Sequence, residues 1–107
     1  MTMRTLALIL LLLALALPAS AGDDGQVHGP FHYACDDGTR FTALFDNRLP
    51  ALILTFPGGE TLTLPQVLSG SGIRYADGRH EFWGKGADAS WTVGKGLPTQ
   101  CHTPDEF

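Results

Sequence analysis

A serine and a lysine, each held between glycines, are the side chains in this sequence best suited to chemistry. Ser71 and Lys85 lie fourteen positions apart. A serine hydroxyl donates or accepts a hydrogen bond, and a lysine ammonium is a compact donor for a carboxylate. The flanking glycines are Gly70, Gly72, Gly84 and Gly86. A catalytic serine and lysine would indicate a hydrolase, but a chain this short leaves little room for the oxyanion hole and substrate cleft that a hydrolase needs.

The histidines do not support an enzyme or a metal site. Four are present, and they are scattered along the chain: His28, His32, His80 and His102. His32 and His102 each lie close to a cysteine, but two ligands without a third do not define a metal centre. We therefore predict no catalytic residue, no metal and no cofactor.

Length and charge restrict the class of protein. The chain has 107 residues, with 7 Lys and Arg against 11 Asp and Glu, for a formal net charge of -4. This length fits one small domain. Because nucleic-acid-binding proteins are typically basic, the acidic balance predicts no nucleic-acid partner.

The first 21 residues have the pattern of a secretory signal peptide. Arg4 precedes an unbroken apolar run of twelve residues at 6–17, and Pro18–Ala21 supplies the small residues that signal peptidase recognises. The run is shorter than the roughly 18 to 20 residues of a membrane span. The first cysteine, Cys35, lies too far from the run to carry a lipid anchor. We expect cleavage after Ala21 and a periplasmic mature protein without a membrane anchor.

The predicted mature chain is more acidic than the whole. Loss of Arg4 leaves six basic against eleven acidic residues, a net charge of -5, which favours a cationic partner. We divide this chain into a flexible tail at 22–29, a folded domain at 30–102 and a second tail at 103–107.

Two cysteines lie near the ends of the predicted domain. Cys35 and Cys101 are 66 positions apart, and such a pair in an exported chain predicts one disulfide. Closing a loop of that size stabilises the fold by about 4 kcal/mol in the chain-entropy model. A metal thiolate pair or a reactive thiol is the alternative, but no CxxC pattern accompanies either cysteine.

Alternating apolar residues and frequent turns divide the domain into short strands. In Arg40–Asp46 the apolar residues recur at every second position, and a turn at 57–59 joins Ala51–Phe56 to Glu60–Leu64 in a hairpin. Further strands are predicted at Phe31–Cys35, Ile73–Ala76, His80–Trp83 and Ala87–Val93, with a loop at 65–72. No segment has helical periodicity. The prediction is an all-β antiparallel barrel or sandwich, and the barrel is favoured because it leaves no exposed edge.

The dipeptide Asp77-Gly78 favours a two-residue turn between two of these strands. That turn pairs Ala76 with Arg79, and the register then sets Tyr75 opposite His80, Arg74 opposite Glu81, Ile73 opposite Phe82 and Ser71 opposite Gly84. One face would carry the Arg74 and Glu81 charge pair. Ser71 and Lys85 would meet at the open end of the hairpin, with a bulge at the glycines to bring them to one face.

Two segments resemble the signatures of a known family. Ser69-Gly70-Ser71-Gly72-Ile73-Arg74-Tyr75 is similar to the Ser-Gly-x-x-Tyr motif of the MliC/PliC family, the bacterial inhibitors of c-type lysozyme. Phe82-Trp83-Gly84-Lys85-Gly86 resembles the second motif of that family, an aromatic-x-x-Lys-Gly segment. The resemblance extends from Tyr33 to Cys101 over most of the mature chain. Phe82 stands where some members have a tyrosine, which places one interfacial hydrogen bond in doubt.

The resemblance implies both a fold and a partner. It implies an eight-stranded antiparallel barrel that inserts Ser71 and Lys85 into the cleft of a basic c-type lysozyme. It also adds Tyr75, Gly72 and Gly86 to the lysozyme-binding surface, where the Tyr75 hydroxyl either braces the loop or contacts lysozyme. The inhibitor would act as a monomer or weak homodimer and protect peptidoglycan from lysozyme. The alternative function is a small periplasmic barrel that binds an apolar ligand and has no inhibitory activity.

Overall fold

The computed structural model describes residues 25–106, which form a closed antiparallel barrel. Each strand pairs with its neighbours in chain order, and the last strand pairs with the first. The strands are β1 (Val27–Cys35), β2 (Arg40–Asp46), β3 (Ala51–Thr55), β4 (Thr61–Val67), β5 (Ile73–Ala76), β6 (His80–Lys85), β7 (Asp88–Val93) and β8 (Thr99–His102). The predicted all-β barrel of eight strands is confirmed.

The pattern of apolar residues and turns in the sequence predicts seven of these strands but not β8. This strand has four residues and only Cys101 among them is buried, so it carries no apolar period. The loop predicted at 65–72 is also too long at its beginning, because β4 continues through Pro65 to Val67. Pro65 ends the pairing of β4 with β3, and the next two residues pair with β5 instead.

Aromatic and aliphatic side chains fill the interior of the barrel. Phe82 is 0% exposed, and its ring centroid lies 5.4 Å from that of Tyr33 and 5.9 Å from that of Phe45. The predicted inward positions of β2 are confirmed, since all three are buried: Phe41, Ala43 and Phe45. Leu52, Leu54 and Leu64 are also fully buried. Removing this apolar surface from water is the main source of stability for so small a domain.

The predicted disulfide closes the barrel. Cys35 and Cys101 face each other across the pairing of β1 with β8, and their Sγ atoms are 2.02 Å apart. The bond therefore joins the first strand to the last, at the pairing that closes the barrel.

The folded domain is longer than predicted at both ends. β1 begins at Val27, because the strand passes through the Gly29-Pro30 pair with an irregularity in its register to β2 rather than ending there. At the other end Thr103 is 1% exposed, and its N–H donates to the carbonyl of Ala87 at 3.0 Å. The Asp105 carboxylate accepts the backbone N–H of His32 at 2.6 Å. Residues 27–29 and 103–105 thus pack on the barrel and are not loose tails.

The predicted signal peptide at 1–21 lies outside the described residues. Within residues 25–106, no helix has the length and apolar character to cross a membrane.

The turn between β5 and β6 is wider than predicted. Ala76 pairs with Glu81 and not with Arg79, so the predicted register is wrong by two positions. The Asp77 carboxylate accepts the N–H groups of Arg79 at 2.8 Å and His80 at 2.7 Å, which favours the wider turn over a two-residue type I′ turn. A shift of two positions keeps every side chain on its expected face.

Candidate functional site

Two connections lie side by side at one end of the barrel. The first is the 68–72 loop between β4 and β5, and the second is the Gly86-Ala87 turn between β6 and β7. Because β5 and β6 are antiparallel, the start of β5 and the end of β6 lie at the same end. Gly84 is opposite Ile73, not opposite Ser71 as predicted, so Ser71 lies in the loop beyond the paired strands.

Ser71 has a fixed backbone and a free hydroxyl. Its carbonyl accepts hydrogen bonds from the Ser69 hydroxyl and from the Trp83 indole, the latter at 2.8 Å. Its N–H donates to Ser69 Oγ at 3.3 Å. Ser71 is exposed, and its own hydroxyl has no hydrogen-bond partner among residues 25–106. The hydroxyl is therefore available to a partner molecule.

Gly72 brings the loop against the lysine. It has a φ of +68°, and a β-carbon built on it would lie 2.8 Å from Cγ of Lys85. Only a residue without a side chain permits this approach. The predicted meeting of the serine loop and the lysine is therefore present, and the close contact is made by the backbone of Gly72.

Lys85 ends β6 on the outer face of the barrel. It is exposed and pairs in register with Asp88 across the short turn, in which Gly86 has a φ of +59°. The Asp88 carboxylate lies 2.8 Å from Nδ1 of His102. No carboxylate within residues 25–106 lies within ion-pair distance of the Lys85 ammonium. The ammonium is thus free to pair with a carboxylate of another molecule.

Tyr75 does not belong to this exposed surface. Its side chain points into the barrel and is 2% exposed, with its ring centroid 5.8 Å from that of Phe45. Burial raises the pKa of the Tyr75 phenol. Because a buried ring cannot contact a partner without opening the barrel, the structure favours a core role for Tyr75 over the predicted direct contact with lysozyme.

Trp83 lies against the serine loop. Its indole is half-buried on the outer face and donates to the Ser71 carbonyl. The guanidinium of Arg74 lies 5.2 Å from the ring centroid. The predicted charge pair of Arg74 with Glu81 is present at 2.5 Å, although the two residues are diagonal and not directly opposite.

An open pocket of about 310 Å³ adjoins the lysine on the outer face of β6, β7 and β8. Its lining includes Trp83, Lys85 and Asp88. Among residues 25–106, no group of three or more histidine, cysteine or carboxylate side chains is arranged to hold a metal ion. The chemistry available at this end of the barrel is hydrogen bonding and ion pairing.

Comparison with known proteins identifies the family. The family model described as membrane-bound lysozyme-inhibitor of c-type lysozyme, MliC, matches residues 33–100. The chain belongs to the MliC family. The matched span contains the serine loop, the lysine turn, the six complete strands from β2 to β7 and parts of β1 and β8. The site and most of the barrel therefore fall within it together.

Two relatives and one solved structure support this membership. A membrane-bound lysozyme inhibitor of C-type lysozyme from Yersinia enterocolitica is 43% identical over 58 residues, which is 54% of this chain and 48% of that protein. A protein of the same name from Pseudomonas aeruginosa is 33% identical over 78 residues, 71% of this chain and 59% of that protein. The chain thus spans about half the length of these relatives.

The solved structure is that of Pseudomonas aeruginosa MliC in complex with hen egg white lysozyme. The likeness has a TM-score of 0.57 and 25% identity, and it covers 83% of this chain and 91% of the solved one. The two MliC barrels therefore share their architecture. The relatives are named as membrane-bound proteins. Those names are consistent with a location of this chain in the cell envelope.

Proposed function

We propose that this MliC protein inhibits c-type lysozyme by inserting the 68–72 loop and Lys85 into the active-site cleft. The observation that carries the proposal is the adjacency of two available groups. Gly72 packs against the Lys85 side chain, and neither Ser71 Oγ nor the Lys85 ammonium has a partner among residues 25–106. Membership of a family named for lysozyme inhibition supports the same function. The role is binding, and the protein is not an enzyme.

The chemistry of the cleft suits these two side chains. A retaining muramidase works with two carboxyl groups about 5 Å apart, one protonated and one ionised. The Lys85 ammonium would donate to the ionised carboxylate, and the Ser71 hydroxyl would hydrogen-bond to the protonated carboxyl group. Because both groups are exposed and unpaired within residues 25–106, no internal contact of theirs has to break on binding. Occupation of the cleft excludes substrate without any covalent step.

Long-range charge favours the same partner. The mature chain predicted by cleavage after Ala21 has six basic and eleven acidic residues. A basic lysozyme would be attracted over distances comparable to the Debye length, which raises the association rate at low salt. Lys85 is then a local positive charge on an acidic protein, suited to a cleft that is itself lined by carboxyl groups.

Location and assembly complete the proposal. The signal-peptide pattern at 1–21 supports export to the periplasm, and the distance of Cys35 from the apolar run supports a mature form without a lipid anchor. We propose that the inhibitor acts there as a monomer or weak homodimer, with the 68–72 loop exposed.

A turbidity assay tests the function directly. Oxidised protein without residues 1–21 is titrated into c-type lysozyme acting on a suspension of bacterial cell walls, with g-type lysozyme as the control. We expect stoichiometric loss of c-type activity only. No inhibition by protein shown to be folded and disulfide-bonded would overturn the proposal. The groove of about 420 Å³ lined in part by Tyr33, Phe41 and Phe56 would then be the first site to examine for the ligand-binding alternative.

A further inference from the structure

The 68–72 loop depends on one side chain from outside it. Trp83 Nε1 donates a 2.8 Å hydrogen bond to the Ser71 carbonyl across twelve positions of sequence. Within residues 25–106, the other hydrogen bonds of this loop join Ser69 to Ser71. The loop contains two glycines and the 93% exposed Leu68, so its own side chains contribute little packing. Its position relative to the barrel is therefore set largely by Trp83 and by the close approach of Gly72.

The indole is itself held by a charged pair. Arg74 lies opposite Trp83 in the register of β5 and β6, and its guanidinium carbon is 5.2 Å from the centre of the indole. A cation at this distance is attracted to the ring face. Arg74 Nε donates to Glu81 Oε2 at 2.5 Å, and the two side chains are only 36% and 26% exposed. Partial burial reduces screening by salt, so the pair keeps the guanidinium over the ring.

We propose that Trp83 is a positioning residue of the inhibitory site: its indole N–H fixes the backbone of Ser71, and the Arg74–Glu81 pair fixes the indole. This inference rests on the proposed function, because it concerns how that site is prepared for lysozyme. A loop ordered before binding loses less conformational entropy in the complex than a mobile one. Trp83 thus acts through Ser71, and the Nε1–H is the group that matters.

The substitution Trp83→Phe isolates that group. Phenylalanine keeps an aromatic face for Arg74 but has no N–H to donate to Ser71. Trp91→Phe is the matched control, since it also replaces an indole by a phenyl ring. Trp91 is 4% exposed and lies in the core, away from the loop. Thermal unfolding of both variants establishes that each is folded before either is compared with the wild type.

The first measurement uses the free inhibitor and is independent of lysozyme. Amide ¹⁵N relaxation should give order parameters typical of rigid backbone at Ser71 and Gly72 in the wild type. We expect values below about 0.6 at these two amides in Trp83→Phe and wild-type values in Trp91→Phe. Unchanged order parameters in Trp83→Phe would overturn the positioning role, as would the same loss of order in Trp91→Phe.

The second measurement is a double-mutant cycle with lysozyme. Trp83→Phe should weaken inhibition about fivefold, the equivalent of one neutral hydrogen bond, and should have much less effect when Ser71 is already alanine. Equal losses in both backgrounds would overturn action through the placement of the Ser71 hydroxyl. If the wild type does not inhibit lysozyme at all, the proposed function fails, and the relaxation data alone decide whether Trp83 orders the loop.

Discussion

Gly72 lies so close to Gly84 that a β-carbon on Gly72 would be 2.4 Å from the Gly84 carbonyl oxygen. The backbone of the serine loop therefore rests directly on the strand that ends in Lys85. Gly72 also has a φ of +68°, a region that residues with a side chain seldom adopt. Contact and conformation together make glycine necessary at this position and couple the loop to the lysine.

The substitution Gly72→Ala should separate the loop from β6. The left-handed conformation costs an alanine about 1 to 2 kcal/mol, and the contact with Gly84 forces a further shift because its partner is backbone. We expect a lower melting temperature and at least tenfold weaker inhibition. Gly70→Ala is the matched control, since a β-carbon there meets nothing within 4 Å. Equal inhibition by the two variants would contradict the coupling.

The general fold could be predicted from the sequence because the core positions repeat with a period of two. In β2, Phe41, Ala43 and Phe45 alternate with exposed or half-buried residues, and all three are buried. β8 could not be predicted in this way, since Cys101 is its only buried residue. Its position is defined by pairing with β7, across a short loop, and with β1, which is distant in sequence.

The site could be predicted only as far as local sequence determines it. The two motifs predict Ser71 and Lys85, and the cysteines predict the disulfide. The register of β5 and β6 depends on the Asp77 carboxylate, which accepts two N–H groups. The turn preference of the Asp-Gly dipeptide does not account for these two hydrogen bonds. The hydrogen bond of Trp83 could not be predicted for a related reason. A hydrogen bond from an indole to the backbone of another loop leaves no periodic signal in the sequence.

Tyr75 gives a test that separates a core role from a binding role. Among residues 25–106 no group hydrogen-bonds its buried hydroxyl, so Tyr75→Phe should change the free energy of unfolding by less than about 1 kcal/mol. Inhibition of lysozyme should be unchanged, because the ring and its packing remain. Tyr33→Phe, at a second buried tyrosine, is the control. Weaker inhibition by a fully stable Tyr75→Phe variant would return Tyr75 to the binding surface.

Asp77 should make the stability of the hairpin depend on pH in the acid range. Backbone hydrogen bonds from Arg79 and then His80 lower the pKa of Asp77 to about 2. Because the folded pKa lies below the unfolded value of about 3.9, the stabilisation is complete above about pH 4 and is lost as the pH falls through 2. Asp77→Asn keeps an oxygen acceptor but does not titrate.

Melting temperatures of the wild type and Asp77→Asn, measured from pH 5 to about pH 2, check this prediction. We expect the wild type to lose stability more steeply below about pH 4. Three other carboxyl groups with lowered pKa values are shared by both proteins and cancel in the comparison: Asp37, Asp46 and Asp105. Parallel curves would show that the Asp77 carboxylate does not hold the turn.

Lys85 should contribute more to lysozyme binding than any other single charge of the inhibitor. Lys85→Ala should cost about 2 to 5 kcal/mol of binding, as expected when one partner of a desolvated charge pair is removed, and Ser71→Ala about 1 to 3 kcal/mol. Lys95→Ala is the matched control, because it removes the same charge from an exposed loop at the opposite end of the barrel. Both lysine variants change long-range attraction alike, so inhibition constants at two salt concentrations isolate the contact. Equal affinity of the two folded variants would remove Lys85 from the interface.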